Sequence, residues 1–319
     1  MIRLSYAQFY CLDSELPLPT MKTAVILCSV NRPQVLADTV VSLSKQTIRP
    51  ILVILSLCDT SSALPETLSI PAVRPVYGPI GLTKQRNTAL SALPASAEYV
   101  LLMDDDIELA PNYIASMEHL FDQRNDVVIA SGASAMDGIL IRRSLTRDEA
   151  VEAVRKYRAQ EKTQSSEAAP GCNIFVRRGT LERERFDERL PLSGWLEDYD
   201  FSVRCARHGA IVWNLRTCTA HLALRRASRE GGFLVGYSQI ANSYYLWQKG
   251  TIPSFGKLVL AFWLPTLRIS IHGILHRAIH KDSTCNLVYD YSGRAFGNVR
   301  ALADAALLRL RPERLLDFS

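Results

Sequence analysis

Unbroken apolar runs alternate with stretches of helical periodicity through the first half of the chain, and this alternation constrains the fold more than any other feature. Runs that are apolar throughout are typical of strands buried on both faces of a sheet. Strands that alternate with helices predict an α/β fold, with a mostly parallel central sheet, flanking helices and a ligand site at the carboxyl ends of the strands. The runs are 23–29, 51–57 and 99–103, and further short strands are predicted at 73–77 and 127–133.

The segments between and after these runs predict helices and then a less regular chain. Helical spacing follows Pro33 and recurs in several later segments. A polar stretch at 163–167 predicts a mobile loop, and 210–213 predicts one more strand. From residue 231 onward the pattern is mostly helical. The further predicted helices are 83–93, 111–121, 147–162 and 201–208, the last ending at Gly209.

Composition argues against several classes of function. The formal net charge of +5 over 319 residues is small and concentrated near the C-terminus, and no basic run is interleaved with aromatic residues, so nucleic-acid binding is not expected. The seven cysteines lack metal-ligand spacing, which argues against a zinc site or a disulfide framework. The start of the chain does not resemble a signal peptide, and no uninterrupted apolar segment reaches about 18 residues. A cytoplasmic location is expected.

Three consecutive aspartates, Asp104, Asp105 and Asp106, follow the apolar run 99–103 directly. Side chains alternate along a strand, so Asp104 and Asp106 should point to one side and Asp105 to the other. Like charges so close together disfavour double ionisation unless a cation lies between them, and oxygen ligands suit Mg²⁺ or Mn²⁺. The pattern predicts a metal-diphosphate site; the alternative is an acidic surface turn.

A second acidic group, Glu197, Asp198 and Asp200, precedes a segment with helical spacing. Acids in the first turn of a helix are stabilising without any catalytic role. The same position also suits a general base near a ligand site.

The order of these landmarks resembles that of a family 2 glycosyltransferase with the GT-A fold, over roughly residues 23–247. The resemblance implies a leader at 1–21, a catalytic domain at 22–250 and a helical C-terminal region at 251–319. It divides the catalytic domain into a nucleotide-sugar-binding half at 22–133 and an acceptor-binding half at 134–250. The landmarks are Asn31-Arg32-Pro33, LSKQT at 43–47, Asp59, RNTAL at 86–90, the three aspartates, Gly171-Cys172-Asn173 with Arg177-Arg178, FDE at 186–188, and EDYD at 197–200 with Arg204.

The resemblance implies that the first half binds a nucleotide-sugar donor, such as a UDP-sugar. Asp59 is similar to the aspartate that recognises the base, although an aspartate in this position also caps turns. Arg86 is similar to the arginine that reaches the nucleotide, and the alternative is a surface arginine on a helix. Asp104 and Asp106 would hold Mn²⁺ or Mg²⁺, and some relatives add a histidine, here His221. Donor-binding residues would be Asn31, Arg32, Asp59, Arg86, Asp104 and Asp105.

In the second half the resemblance assigns the catalytic base to Asp198, with Glu197 and Asp200 as supporting acids. Gly194 and Trp195 would bind the acceptor or its sugar, unless Trp195 is a buried aromatic residue. Arg225 and Arg226 would clamp the diphosphate. The alternative for His221, which follows the strand and loop at 210–220, is a structural histidine.

The apolar segment 258–275 predicts either a helix in a membrane interface or one packed on the catalytic domain. Pro265, Arg268 and His272 interrupt it, and Lys257, Arg277 and Lys281 lie close by. The first alternative favours a lipid-linked oligosaccharide acceptor at the inner face of the membrane, as in the synthesis of bacterial polysaccharides; a soluble glycan acceptor is the other possibility.

Three other classes of function would require a different sequence pattern from that of the transferase. A sugar nucleotidyltransferase would carry a glycine-rich loop after its first strand, where this chain has Val30-Asn31-Arg32-Pro33. A phosphatase with an aspartate nucleophile would place its D-x-D early in the chain. A glycan-binding or scaffolding protein on the same fold would have no need for both acidic clusters.

Overall fold

The computed structural model of the chain describes residues 21–224, 231–279 and 290–318. These residues form a nine-stranded sheet with the strand order β3-β2-β1-β4-β8-β6-β9-β5, and β7 pairs with β9. The predicted leader at 1–21 lies outside this range except for its last residue. The strands are β1 Thr23–Cys28, β2 Leu52–Leu57, β3 Val73–Tyr77, β4 Tyr99–Asp104, β5 Ile107–Leu109, β6 Val127–Asp137, β7 Thr163–Ser165, β8 Asn173–Arg177 and β9 Ala210–His221.

The first half of the sheet is parallel, as the apolar runs predict. β1 lies between β2 and β4, and all three strands run in the same direction with β3 at the edge. Every residue of β1 and β2 is buried. Alternate residues of β1 contribute to two different apolar clusters, with Val25 and Leu27 in one and Ile26 in the other. The register sets Cys28 opposite Asp104, so the carboxyl ends of these strands meet at one edge.

Helices α1 and α4 pack their apolar residues, such as Leu36 and Met117, into the first of these clusters, and α3 and α7 contribute Leu90 and Phe201 to the second. The helices of the catalytic region are α1 Pro33–Leu43, α2 Pro65–Leu68, α3 Leu82–Leu90, α4 Tyr113–Gln123, α5 Arg147–Lys156, α6 Arg178–Arg183 and α7 Glu197–Cys205.

The second half of the sheet is mixed, so the expectation of a mostly parallel sheet holds only for the first half. β8 is antiparallel to both β4 and β6, while β6 and β9 are parallel. The polar stretch 163–167 is not simply a loop, because β7 pairs with β9 there. β9 is also much longer than the predicted 210–213, because β5, β6 and β7 all supply it with hydrogen-bonding partners.

The C-terminal region is helical, as predicted, and begins with α8 Gly232–Gln248. A short α9, Phe255–Lys257, continues through a π-helical segment, Leu258–Trp263, into α10, Leu264–Ile279. α11 spans Tyr291–Ala306 and packs along α8. Among the described residues, Phe255–Leu275 is the one helical stretch long and apolar enough to cross a membrane.

Candidate active site

The three aspartates lie where β4 ends and the chain turns into β5. Asp104 is the last residue of β4, and Asp105 and Asp106 form the turn. Ile107 in β5 is paired with His221 in β9, which brings the imidazole beside the turn. Asp104, Asp106 and His221 each offer a ligand atom, and these atoms lie within 4.8 Å of one another. Two carboxylates and an imidazole at this spacing could hold a divalent metal ion.

Asp137 positions His221, and nothing in the sequence marks this residue. The register of β6 and β9 sets Asp137 opposite His221, and His221 Nδ1 is 3.4 Å from Asp137 Oδ1. The other ring nitrogen, Nε2, is 3.5 Å from Asp106 Oδ1. Burial disfavours the charged imidazole, but the hydrogen bonds to both aspartates outweigh burial and raise the pKa of His221 to about 10. A carboxylate on the second ring nitrogen fixes the orientation of a metal-binding histidine.

Asp105 lies in the turn and is not one of the three residues whose ligand atoms lie together. Ser29 Oγ donates a hydrogen bond to its Oδ2 at 2.5 Å, and Arg32 Nη1 lies 3.1 Å from its Oδ1. Arg32 Nη2 is also 2.9 Å from Asp106 Oδ2, so this buried guanidinium offsets the charge of two aspartates. Both Asp105 and Arg32 are thus engaged with protein groups, and their predicted contact with the donor stays a prediction.

Asp59 and Asn31 lie in adjacent loops after β2 and β1. Asp59 Oδ1 caps the short 3₁₀ helix Thr60–Ser62, accepting hydrogen bonds from the Ser62 backbone N–H at 3.1 Å and from the Ser61 hydroxyl at 2.7 Å. These serine hydrogen bonds lower the pKa of the exposed Asp59 carboxyl. Ser62 Oγ in turn accepts the Asn31 N–H at 3.3 Å. Asp59 therefore does cap a turn, as the alternative predicted. The cap uses Oδ1, and the predicted recognition of the nucleotide base by Asp59 stays a prediction.

Arg86 is fully buried and connects the two acidic clusters, which excludes the alternative of a surface arginine. Its Nη1 is 2.6 Å from Glu197 Oε2, and its Nη2 is 4.0 Å from Asp104 Oδ1. The same Nη2 donates a hydrogen bond to the Gly171 carbonyl oxygen at 2.6 Å. The guanidinium also stacks over the Phe186 ring at 4.9 Å. The end of β4 and the start of α7 are therefore held together by one side chain.

Asp198, in the first turn of α7, is partly accessible and held by backbone hydrogen bonds. The Gly171 N–H donates to its Oδ2 at 2.7 Å, and the Tyr199 N–H donates to its Oδ1 at 2.8 Å. Burial raises the pKa of Asp198, although both N–H groups oppose the shift. A carboxylate whose pKa is raised and whose position is fixed is suited to accept a proton.

Asp200 has a different environment from Asp198 and is completely buried. Arg204 Nε lies 3.0 Å from its Oδ2, Lys249 Nζ lies 2.9 Å from its carboxylate, and the Thr251 hydroxyl donates to Oδ1 at 2.8 Å. Lys249 and Thr251 follow α8, so Asp200 ties the base-bearing helix to the C-terminal region. Glu197 also has a basic partner, since its carboxylate pairs with Arg86. Both acids therefore stabilise the position of α7.

Gly194 and Trp195 lie in the tight loop before α7. Gly194 has a φ of +67°, and Leu192 and Leu196 on either side also adopt the left-handed region, which is costly for leucine. Trp195 is 41% exposed, which excludes the alternative of a buried aromatic residue. Asn242 Nδ2 donates to its carbonyl oxygen at 2.9 Å and fixes the loop. An exposed indole held beside Asp198 can stack on a sugar face.

Residues 24–184 match the family model described as Glycosyl transferase family 2. The chain belongs to glycosyl transferase family 2. The matched region begins in β1 and ends just after α6, so it contains Asp59, Arg86 and the three aspartates. Asp198 and His221 lie beyond it, and they join the site through the sheet register and the contacts of Arg86.

The fold of this family 2 glycosyltransferase is the GT-A fold. The crystal structure of GalNAc-T7 with UDP, GalNAc and Mn²⁺ has a TM-score of 0.51 and 14% sequence identity to the chain, and the match covers 90% of this chain and 58% of that one. At this identity the similarity concerns the fold alone. No curated protein is significantly similar to the chain.

Two predicted site residues of this glycosyltransferase, Arg225 and Arg226, lie outside the described residues. The described chain stops at Leu224, whose N–H donates to Asp106 Oδ2 at 2.9 Å. Leu224 therefore lies beside the candidate metal site, and the contact of both arginines with the diphosphate stays a prediction.

The buried Arg86–Glu197 pair predicts a large loss of stability when only one partner is removed. Arg86→Met should lower the free energy of unfolding by about 3–5 kcal/mol, because Glu197 would stay buried without its cation. Burial raises the pKa of Glu197 while Arg86 lowers it. Without Arg86 the pKa should rise further, so the variant should lose stability as the pH is raised through that pKa.

Urea unfolding of the variants at several pH values tests this expectation. Arg86→Met/Glu197→Leu should recover part of the loss and show less pH dependence. The control is Arg143→Met, which breaks an exposed pair with Glu149 at 2.8 Å and should cost less than about 1 kcal/mol. If Arg86→Met and Arg143→Met lowered the free energy of unfolding equally, burial would not explain the contribution of the Arg86–Glu197 pair to stability.

Proposed function

We propose that the chain is an inverting, metal-dependent transferase that moves a sugar from a UDP-sugar to a hydroxyl group of a glycan acceptor. The observation that carries this proposal is the contact of Arg86 with both acidic clusters. Arg86 lies between Asp104, a candidate metal ligand, and Glu197, the neighbour of the candidate base Asp198, which supports one site for both groups. A transfer between two bound substrates needs both groups around one reacting carbon.

The proposed metal ion is Mn²⁺ or Mg²⁺, held by Asp104, Asp106 and His221. Two carboxylates fit either ion, and the imidazole nitrogen favours Mn²⁺, since Mg²⁺ takes oxygen ligands. When bound, the metal ion supplies Lewis-acid stabilisation of the departing diphosphate. Asp137 keeps the imidazole in place, and Arg32 balances the charge of Asp105 and Asp106.

Asp198 is the proposed base. Its carboxylate would accept the proton of the acceptor hydroxyl while that oxygen attacks the anomeric carbon from the side opposite the leaving group, which inverts the configuration. The N–H groups of Gly171 and Tyr199 keep the carboxylate oriented between turnovers. Trp195 would support the sugar ring by stacking beside it.

Asp59 and the structural neighbour both support UDP as the nucleotide of the donor. GalNAc-T7 was crystallised with UDP, GalNAc and Mn²⁺, and a similar fold in this chain would bind a nucleotide in the corresponding half of the sheet. No described residue donates a hydrogen bond to Asp59 Oδ2. This oxygen can accept the imino N–H of uracil, which supports UDP as the nucleotide.

The proposed setting is the synthesis of a bacterial exopolysaccharide or cell-surface polysaccharide on the cytoplasmic side of the membrane. The C-terminal region next to the site is basic and exposes apolar side chains, which suits an acceptor attached to a lipid.

A thermal-shift screen of nucleotides with and without Mn²⁺ tests the donor and metal together. UDP at about 100 times its Kd should stabilise the folded chain by about 2.7 kcal/mol, a rise in Tm of roughly 5 °C, and only when Mn²⁺ is present. Asp59→Ala should reduce the rise for UDP, while the exposed Asp148→Ala serves as control. Stabilisation by nucleoside triphosphates alone would favour a nucleotidyltransferase. Slow hydrolysis of a UDP-sugar by the unaltered chain would reject a binding protein.

A further inference from the structure

The C-terminal helices share a small apolar cluster, which includes Tyr237, Ile240 and Ala301, but much of the rest of their interior is polar. On the buried sides of α10 and α11, hydroxyl, amide, guanidinium and glycine groups replace the expected aliphatic side chains. Leu260, by contrast, is 70% exposed, and Phe296 is 67% exposed. The buried residues include Thr266, Ser270, Arg294, Gly297, Asn298 and Asp304.

The contact between α8 and α11 depends on glycine. Gly232 and Gly236 in α8, and Gly293 and Gly297 in α11, are each spaced four residues apart. A Cβ atom on Gly236 would overlap the Arg294 carbonyl oxygen, and one on Gly297 would overlap the Phe233 carbonyl oxygen. The two backbones therefore touch, as in helix pairs with small residues at this spacing inside lipid bilayers.

Hydrogen bonds between side chains complete this packing. Asn298 Nδ2 donates to the Gly236 carbonyl oxygen at 2.7 Å, and Ser270 Oγ donates to Asn298 Oδ1 at 2.8 Å. Arg294 Nε donates to Gln239 Oε1 at 2.9 Å. These polar groups have their hydrogen-bond partners within the bundle, while several large apolar side chains face outward.

The outward apolar residues form a stripe along Phe255–Leu275. Leu260, Leu264, Ile271 and Leu275 are spaced by four, seven and four residues, which places them on one side of the helix, and all are exposed. The most apolar window of this helix has a mean hydropathy of 1.6, yet only 22% of it is buried. An exposed surface of this kind marks an interaction site.

Charge identifies the partner. Residues 231–319 contain ten basic and five acidic residues, so this region accounts for the entire formal net charge of +5 and the rest of the chain is balanced. Basic groups beside an apolar helix face favour anionic lipid headgroups. Arg268 and His272 are exposed in the middle of the helix, where a membrane-spanning orientation would bury them in hydrocarbon at high cost.

We propose that Phe255–Leu275 lies in the plane of an anionic lipid bilayer, with its exposed apolar side among the acyl chains. Arg268 lies on that side, four residues after Leu264, and its long side chain would reach back to the headgroups. The glycine contacts and buried hydrogen bonds hold α8, α10 and α11 together in that environment. Through Lys249 and Thr251, which contact Asp200, the same region is joined to the helix that bears Asp198. The membrane would thus lie against the acceptor half of the catalytic domain.

Vesicle flotation of the full chain tests this surface, with phosphatidylcholine vesicles prepared with and without phosphatidylglycerol. The chain should float with both kinds and bind the anionic ones more tightly. Leu260→Glu/Ile271→Glu should weaken binding by about tenfold or more, because both side chains are exposed and would leave the acyl region. Arg268→Gln should weaken binding roughly fivefold on anionic vesicles and little on neutral ones.

The control is Val151→Glu, which also places a glutamate at an exposed apolar position, here on α5, and should leave flotation unchanged. Thermal melting confirms that each variant is folded. Absence of flotation of the unaltered chain overturns the proposal. A lipid-free dimer that Leu260→Glu/Ile271→Glu dissociates, without any vesicle binding, would mean that a second copy of the chain covers this face. UDP binding is measured in parallel, so a failure here is separate from a failure of the proposed transferase activity.

Discussion

Asp198→Asn should reduce the rate of sugar transfer by about 10²–10⁴-fold while the affinity for the nucleotide-sugar donor stays nearly unchanged. The amide cannot accept the proton of the acceptor hydroxyl. The donor should still bind, because the candidate metal ligands and Asp59 belong to other elements of the sheet. Single-turnover transfer and calorimetric binding of the donor measure the two quantities separately.

The variant also has a predictable structural cost. Each carboxylate oxygen of Asp198 accepts one backbone N–H, and an asparagine must direct its NH₂ group at one of these two donors. A loss of about 1–2 kcal/mol in the free energy of unfolding is expected, too small to unfold the chain. Asp148→Asn is the matched control, since Asp148 also lies in the first turn of a helix but is exposed on α5. Normal turnover by Asp198→Asn would show that another group is the base.

The pH profile gives an independent signature of this base. Because burial raises the pKa of Asp198, the group begins to gain a proton at a higher pH than an ordinary aspartate. Transfer should therefore decline as the pH falls through that raised pKa, since the protonated carboxyl cannot act as a base. In Asp198→Asn the residual rate of transfer should not decline as the pH falls through this range.

The parallel half of the fold was largely predictable because β1, β2 and β4 are continuous apolar runs. The structure places β3 at the predicted residues and shortens or extends its neighbours by a residue or so. Burial on both faces leaves such segments few alternatives. The position of the three aspartates at a strand end followed from the same pattern.

The second half was less predictable because its strands depend on distant partners. β7 is polar and exists through pairing with β9, so no apolar pattern marks it. The pairing of Asp137 and His221 depends on a register between β6 and β9, which are far apart in the chain. The burial of Arg86 could not be predicted from the sequence around it either. Helical spacing does not show which charged residue of a helix will form a buried ion pair.

Asp106→Asn should abolish the dependence of nucleotide binding on the metal ion and lower kcat/KM by about 10²–10³-fold. Asp106 lies close to both other candidate ligands. Its Oδ1 is 3.5 Å from His221 Nε2, and it belongs to the turn that directly follows Asp104. An amide is a weaker ligand than a carboxylate and carries no charge to offset the cation. Without the ion, the charge that develops on the departing diphosphate would lose its main stabilisation.

The measurements are titration of Mn²⁺ by calorimetry and binding of UDP with and without Mn²⁺. Asp137→Asn should give an intermediate result, a 10–100-fold loss of metal affinity, because it would loosen His221 without removing a ligand. The control is Asp126→Asn, which alters an exposed ion pair with Arg124 away from these ligands. Unchanged metal dependence in Asp106→Asn would contradict the assignment.

The structural role of Asp106 must be separated from its role as a ligand. Its Oδ2 accepts the Leu224 N–H and lies 2.9 Å from Arg32 Nη2, so removing its charge also leaves Arg32 with one fewer counterion. If Asp106 acted only through Arg32, then Arg32→Met would reproduce the loss of metal affinity, and Asp106→Asn/Arg32→Met would be no worse than either variant alone. If Asp106 is the ligand, Arg32→Met should retain the binding of Mn²⁺, since less positive charge beside the site favours a cation. The double variant should then bind no better than Asp106→Asn.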